Sequence, residues 1–234
     1  MRILAFETSA KAGSVALLED GRLLGEYYLN CGMTHSRTLL KLAEDLLAAC
    51  ELAPAQLDAV ACAAGPGSFT GVRIGVAAAK GFAWGAEKPC VGVSTLEAMA
   101  HQAQNFEGVI CCAMDARRAQ VYHAMFSCHA GTITRLSEDC AISLEELAER
   151  LKKIESPKIM VGDGAQLCYN TLSTVCPGCV RAPEHLTMQR ASGVALAAER
   201  LLQAGGDFSG AALVPNYLRL SQAERERAQR LQES

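Results

Sequence analysis

From Leu57 to Ala64 the chain reads Leu-Asp-Ala-Val-Ala-Cys-Ala-Ala, small and apolar with almost no polar alternation. A strand of this kind is covered on both faces, as in a parallel sheet with helices above and below, and it does not suit a sheet with one wet face. Gly65-Pro66-Gly67 ends the run, and the pattern predicts a helix from about Thr70 to Gly85. That helix carries Gly71, Gly75, Gly81 and Gly85 among Ala77, Ala78, Ala79 and Ala83. Each interior glycine costs about 1 kcal/mol relative to alanine, so close packing must compensate.

The flanking segments fit an α/β chain. Residues 3–6, 14–18 and 23–29 read as strands, with Glu19-Asp20-Gly21-Arg22 suited to a hairpin turn between the last two. Thr34 is placed to cap a helix to about Glu51, with Leu39, Leu42, Ala43, Leu46 and Cys50 on one stripe and Leu40 and Leu47 on a second. Cys90 to Val93 is strand-like, and Ser94-Thr95-Leu96-Glu97 has capping-box spacing. From Gly108 the order returns: strands at 109–114, 120–126 and 131–136, a helix from Ser143 to about Lys153, and a strand Ile159-Met160-Val161 ending at Gly162-Asp163-Gly164. A helical segment follows from Met188 to Ala204. Two βββαβα halves result, residues 1–107 and 108–234.

At 234 residues the chain allows one large domain or two small ones. Its 22 Lys and Arg against 25 Asp and Glu give a net charge of −3, which excludes unaided electrostatic binding of nucleic acid as the main activity. A local basic patch is still compatible with that balance, and the tail from Ala223 to Gln232, with Arg225, Arg227 and Arg230, reads either as a solvated helical end or as a tRNA-facing segment. Eleven cysteines would imply bridges in a secreted chain, but the amino terminus meets Glu7 before a signal-peptide core can form. The expectation is a reduced, cytoplasmic protein. The longest charge-free stretches, Ala59 to Val72 and Gly164 to Val180, are too short and too broken by Gly and Pro to span a membrane.

The loop Gly65-Pro66-Gly67-Ser68-Phe69-Thr70-Gly71 lies between strand and helix, where backbone N–H groups can receive an anion. It lacks the Lys-Ser/Thr pair of a Walker loop and the spacing of a dinucleotide fingerprint. It serves either as a packing turn that brings two backbones together or as a recognition loop with Phe69 as an anchor. The five histidines, His35, His101, His123, His129 and His185, are scattered and read as surface or hydrogen-bonded core residues. Cys176-Pro177-Gly178-Cys179 reads as a reduced loop, with a zinc set as the rival if Cys168 or His185 completes it. Glu7, Asp115 and Asp163 each end a strand, the place where ligands bind in α/β folds; magnesium-nucleotide binding and simple turn capping explain them equally.

Phe6-Glu7-Thr8-Ser9, the stretch Gly65-Pro66-Gly67-Ser68-Phe69-Thr70-Gly71-Val72-Arg73-Ile74-Gly75, Asp115-Ala116-Arg117-Arg118 and Pro215-Asn216-Tyr217-Leu218-Arg219 together resemble the TsaB (YeaZ) family over nearly the whole chain. The resemblance implies the actin-like, sugar-kinase and Hsp70 (ASKHA) ATPase fold, built of two ribonuclease-H-like halves. It implies a non-catalytic subunit that binds and activates TsaD, the paralogue that puts threonylcarbamoyl on N6 of adenosine 37 in tRNAs reading ANN codons. TsaE, an ATPase, and a second copy of the chain are further implied partners, with tRNA met only through the complex and no membrane contact. The rival reading is an autonomous ATP-binding enzyme of the same fold, and a metallopeptidase is a third.

Glu7-Thr8-Ser9 stands where the ATPase fold has Asp followed by Gly-Thr, and no histidine has another four residues on. The resemblance therefore implies no required cofactor, with at most weak ATP or ADP binding through Glu7, Thr8, Ser9, Asp115, Gly162 and Gly164. It also implies that helices 34–51 and 70–85 pack against the matching pair of TsaD. A helix apolar on two sides needs two coverings, and its own sheet supplies one. The expected interface comprises His35, Leu39, Leu42, Leu46, Phe69, Val72, Arg73, Val76 and Lys80.

Overall fold

The computed structural model describes residues 1–172, 176 and 178–219. The tail helix expected at 223–232 and Pro177 of the Cys-x-x-Cys loop lie outside the described residues. The first half opens with the meander β1 (Arg2–Glu7), β2 (Gly13–Glu19) and β3 (Arg22–Leu29), followed by α1 (His35–Ala49), β4 (Ala59–Gly65), α2 (Phe69–Ala86), β5 (Cys90–Ser94) and α3 (Thr95–Gln102). The second half repeats the order with β6 (Gly108–Asp115), β7 (Gln120–His129), β8 (Thr132–Arg135), β9 (Cys140–Ser143), α4 (Leu144–Lys152), β10 (Lys158–Val161), α5 (Ala165–Leu172) and β11 (Cys179–Arg181). A short α6 (Glu184–Thr187) and α7 (Ala191–Ala204) follow.

The two sheets have matching topology. In the first, the order is β3-β2-β1-β4-β5, antiparallel within the meander and parallel from β1 through β4 to β5. In the second, β11-β10-β6-β7-β8 repeats that arrangement, with β9 pairing the other end of β7. The first sheet shows why its strands read as continuously apolar. Leu4, Phe6, Val15, Leu17, Val60 and Cys62 face α1 and α2, whereas Ile3, Ala5, Ala16, Leu18, Ala59, Ala61 and Ala63 face α7. Successive side chains go to opposite faces and each face meets a helix.

The last helix of each half crosses to the other. Leu96, Met99 and Ala100 of α3 pack on the second sheet with Ile110, Cys112 and Phe126. Val194, Ala195 and Ala198 of α7 pack on the first sheet. The exchanged helices touch closely: a Cβ on Gly193 would fall on the Ala98 carbonyl. Both predicted serine caps form, with Ser94 Oγ accepting from the Glu97 N–H at 3.2 Å and Ser143 Oγ from the Glu146 N–H at 3.1 Å. Thr34 precedes α1 without a side-chain cap bond. No helix among the described residues is long and apolar enough to cross a membrane.

The glycines of α2 divide into two sets. A Cβ on Gly71 would fall on the Thr8 carbonyl, and one on Gly75 on the Thr8 hydroxyl, whereas Gly81 and Gly85 have nothing within 4 Å. Gly71→Ala is therefore expected to destabilise the protein by about 1–3 kcal/mol through overpacking. Gly81→Ala, in an open helix interior, is expected to stabilise it by up to about 1 kcal/mol. Urea titrations of the two variants against the parent chain measure both signs.

Candidate functional site

The helices α1 and α2 lie side by side on the first sheet, and the structure corrects which of their residues are available to a partner. Leu39, Leu46, Val72 and Val76, expected at a partner interface, belong to the protomer's own core; Leu46 is 2% exposed. The large side chains of the sheet face demand large partners, and these four supply them. Leu42 is half-buried against the same core, and Leu47 joins it, leaving Leu40 alone of its predicted stripe in solvent at 56% exposure. The outward face of α2 carries Thr70, Arg73, Ala77, Gly81 and Trp84, all exposed and separated by three or four residues. Trp84 is 86% exposed.

His35 and Lys80, also expected to face a partner, are engaged within the chain. His35 Nε2 lies 2.9 Å from the Ala10 carbonyl, and Lys80 Nζ donates to the Leu213 carbonyl at 3.1 Å. The second contact anchors a segment that returns across α2 after α7. In that segment the Asn216 N–H donates to the Ala64 carbonyl at 2.6 Å, and Tyr217 stacks on Phe69 with ring centroids 4.5 Å apart. Arg73 completes the cluster, its guanidinium 3.9 Å from the Phe69 ring centre and its Nε donating to the Tyr217 hydroxyl at 2.9 Å. Phe69 is thus half-buried under its own chain.

Sequence reasoning missed Trp84 and Tyr217. Trp84 lies seven residues beyond Ala77 on the same helical face, so spacing alone was enough to find it. No spacing relates Tyr217 to Phe69, because their meeting depends on the path of the chain after α7.

Between the halves lies a cavity of about 630 Å³, bounded by the β1–β2 loop, the N-terminus of α2, the β6–β7 hairpin and residues 216–219. Of the six residues expected to hold a nucleotide, Ser9 and Asp115 line it, as does Asp163. The other four are packed behind. Thr8 Oγ1 donates to the Gly71 carbonyl at 2.8 Å. Gly162 and Gly164 abut the backbone of Ala113 and Met114, so the absence of their side chains serves to close β10 against β6.

Glu7, at the end of β1, is fully buried; its Oε1 accepts from the Ser9 N–H at 2.5 Å, and Oε2 has no partner among the described residues. Burial pushes its pKa up to about 7, against the downward pull of the Ser9 hydroxyl and N–H and with a further push from Asp163. Burial also raises the pKa of Asp163, with Gln189 Nε2 donating to it at 2.9 Å and opposing the shift. This arrangement does not fit a magnesium-nucleotide seat of the ATPase type, which requires ionised carboxylates facing the ligand and open glycines beneath the nucleoside. Around Cys176 and Cys179, Cys168 lies in the same core cluster, whereas His185 is exposed. Among the described residues no three His, Cys, Asp or Glu side chains converge to hold a metal ion.

The family described as TsaD, tRNA N6-adenosine threonylcarbamoyltransferase, matches this chain over residues 30–227. The tRNA threonylcarbamoyladenosine biosynthesis protein TsaB of Bacillus subtilis is 34% identical over 96% of both chains. A Pseudomonas aeruginosa crystal structure, described by its similarity to the peptidase YeaZ, superposes with a TM-score of 0.80 at 28% identity, covering 93% of this chain and 99% of that one. At the level of fold alone, the ROK hexokinase of Thermus thermophilus superposes with a TM-score of 0.52 at 12% identity, covering 88% of this chain and all of that one. The two ribonuclease-H-like halves and the sugar-kinase likeness make this an ASKHA-type α/β fold. The chain belongs to the TsaB (YeaZ) family.

Proposed function

We propose that the chain is a non-catalytic subunit of the machinery that forms threonylcarbamoyladenosine in tRNA, and that it binds and activates TsaD. The observation that carries this reading is the outward face of α2. Trp84 stands almost wholly in solvent beside Gly81 and Gly85, above which there is only open space. Small residues let a second helix approach to about 8 Å, and an exposed tryptophan at the edge of such a strip is the residue type that most often anchors an interface. Leu40 on α1 is a second exposed apolar side chain of the helix pair. The names of the relatives supply the pathway. A second copy of the chain would use the same face, so a homodimer and the TsaD heterodimer would compete.

Trp84→Ala is expected to weaken association with purified TsaD by about 30-fold, the equivalent of about 2 kcal/mol at a hot spot. Gly81→Leu is expected to abolish association without lowering thermal stability, because its Cβ would enter open space and leucine is the better helix former. Titration calorimetry with TsaD and reconstituted tRNA modification measure both effects; unaltered affinity in both variants would remove this interface.

The cavity between the halves leaves a second reading, an autonomous ATP-dependent enzyme, against which the buried Glu7 and the closed glycines weigh. Calorimetric titration of the isolated chain with Mg-ATP decides it. Micromolar binding with turnover supports that enzyme, and neither is expected on the subunit reading.

The state of Glu7 bears on both readings, because a carboxyl group half protonated near neutrality is a poor holder of magnesium. Its folded pKa of about 7 exceeds the unfolded value of 4.5, so the native state binds the extra proton between those values. Stability from this group is full below about pH 4.5 and is lost as pH rises towards 7, by up to about 3 kcal/mol. His101 and His123, lowered by burial to about 4, act in the opposite sense, adding stability as pH rises from 4 towards 6.5. The difference between the parent chain and Glu7→Gln isolates the carboxyl. That difference is expected to shift against the parent between pH 5 and 7 and to level off above, as read by urea titrations at each pH.

A further inference from the structure

On the second sheet, away from the cleft, three polar groups from three elements meet. Cys140 opens β9 and stands directly opposite His123 of β7 in the antiparallel register, so both side chains leave the sheet on the same face. Arg150, in the last turn of α4, reaches down to that face: its Nη1 donates to Cys140 Sγ at 3.5 Å, and its Nη2 donates to Glu146 at 2.7 Å. The Cys140 thiol donates to the His123 carbonyl at 3.4 Å. The residue before it is tied down, because the Asp139 carboxylate accepts Arg135 Nη1 and the Ser94 hydroxyl, each at 2.6 Å.

His123 supplies an independent observation. It is wholly buried, and its Nδ1 lies 2.9 Å from the Cys112 carbonyl, a group that only accepts, so Nδ1 carries the proton. Nε2 is left with a bare lone pair and has no partner among the described residues. An unmet buried acceptor on the face of the thiol points to a donor that something else must bring. Burial lowers the pKa of His123 to about 4, against the pull of the Cys112 bond and with a further push from Arg150, so the ring is neutral at neutral pH. The positive charge beside the sulfur is that of Arg150.

The other cysteines set the scale. Eight of the eleven are buried, Cys31 is exposed, and Cys50 and Cys140 are half-buried. Of the three within reach of solvent, Cys140 is the one whose sulfur receives a guanidinium N–H among the described residues. A sulfur that attacks a disulfide shares negative charge with the two sulfurs it meets, and a guanidinium at hydrogen-bond distance offsets that charge. Exposure and positive charge therefore favour different thiols.

We propose that Cys140 is a modification site for low-molecular-weight disulfides, to which Arg150 directs the reaction. The Cys140 thiol gives up its proton, and its sulfur attacks one sulfur of glutathione disulfide. The S–S bond of that molecule breaks, a new S–S bond joins Cys140 to one glutathione, and the second glutathione leaves as a thiolate that takes up the released proton. An amide N–H of the attached glutathione meets the bare Nε2 of His123. The site lies in the second half and does not depend on docking at the outward face of α2.

The probe is glutathione disulfide, added to the reduced full-length chain, with the modified positions followed over time by mass spectrometry of its peptides. Cys140 is expected to react about tenfold faster than the more exposed Cys31. Arg150→Met is expected to slow Cys140 about tenfold and to leave the rate at Cys31 unchanged, whereas Arg150→Lys, which keeps the charge, retains most of the rate. Unreactive buried thiols in each variant report that the fold is intact. Reaction at Cys31 as fast as at Cys140, or equal rates at Cys140 in the parent chain and Arg150→Met, overturns the proposal.

Discussion

The contact between the backbone at Thr8 and the first two turns of α2 constrains the rest of the first half. It exists because Gly71 and Gly75 have no side chains: any Cβ there would collide with the Thr8 carbonyl or hydroxyl. With the two backbones touching, Thr8 Oγ1 reaches the Gly71 carbonyl and the Ser68 N–H reaches the Ser9 carbonyl at 2.7 Å. The N-terminus of α2 is thereby fixed beside the end of β1 and opens on the cleft. Further along, the same placement brings Val72 and Val76 into one core with Phe6 and Val15, so one helix closes the core and shapes the cleft wall.

A helix seated this closely is amphipathic in size more than in polarity. Its inner face combines glycine at the backbone contact with valine over the sheet; its outer face has alanine and glycine where charged residues usually stand, ended by Arg73 and Trp84. Burying the inner valines contributes about 1.5–3 kcal/mol each to folding, which leaves them nothing to offer a partner. A charge placed at Leu46 would report on the core and not on docking, because a buried unpaired charge unfolds the protein before it tests an interface. Only the outer residues distinguish association from stability.

Much of this was legible in the sequence. The run 57–64 fixed a strand with two covered faces, and the glycines of α2 announced close packing, because no other arrangement offsets their poor helix propensity. The serine caps at Ser94 and Ser143 and the repeated element order were legible for the same reason: each rests on chemistry within a few residues. The orientation of α1 and α2 was not. Periodicity places Leu39 and Leu46 on one stripe but does not say which stripe meets the sheet, and with apolar residues on two sides the pattern is consistent with either rotation. The exchange of α3 and α7 was equally hidden, since the alanine-rich faces of both helices fit any close neighbour. Thr34 fits the cap pattern, yet α1 begins without its hydroxyl bond.

The cleft was legible as a place but not as a chemistry. Glu7, Asp115 and Asp163 share the sequence signature of strand-end carboxylates, and three such groups invite a cation. Burial separates them: Glu7 lies behind the wall with a pKa near neutrality, Asp163 is raised and bonded to Gln189, and Asp115 is occupied in holding a left-handed turn. Their capacity for a cation falls as each is neutralised or engaged, while Lys11, Arg117 and Arg219 line the same cleft. The sign of the cleft is therefore set by environment and not by the count of acidic and basic side chains, and the net charge of −3 over the whole chain does not describe it.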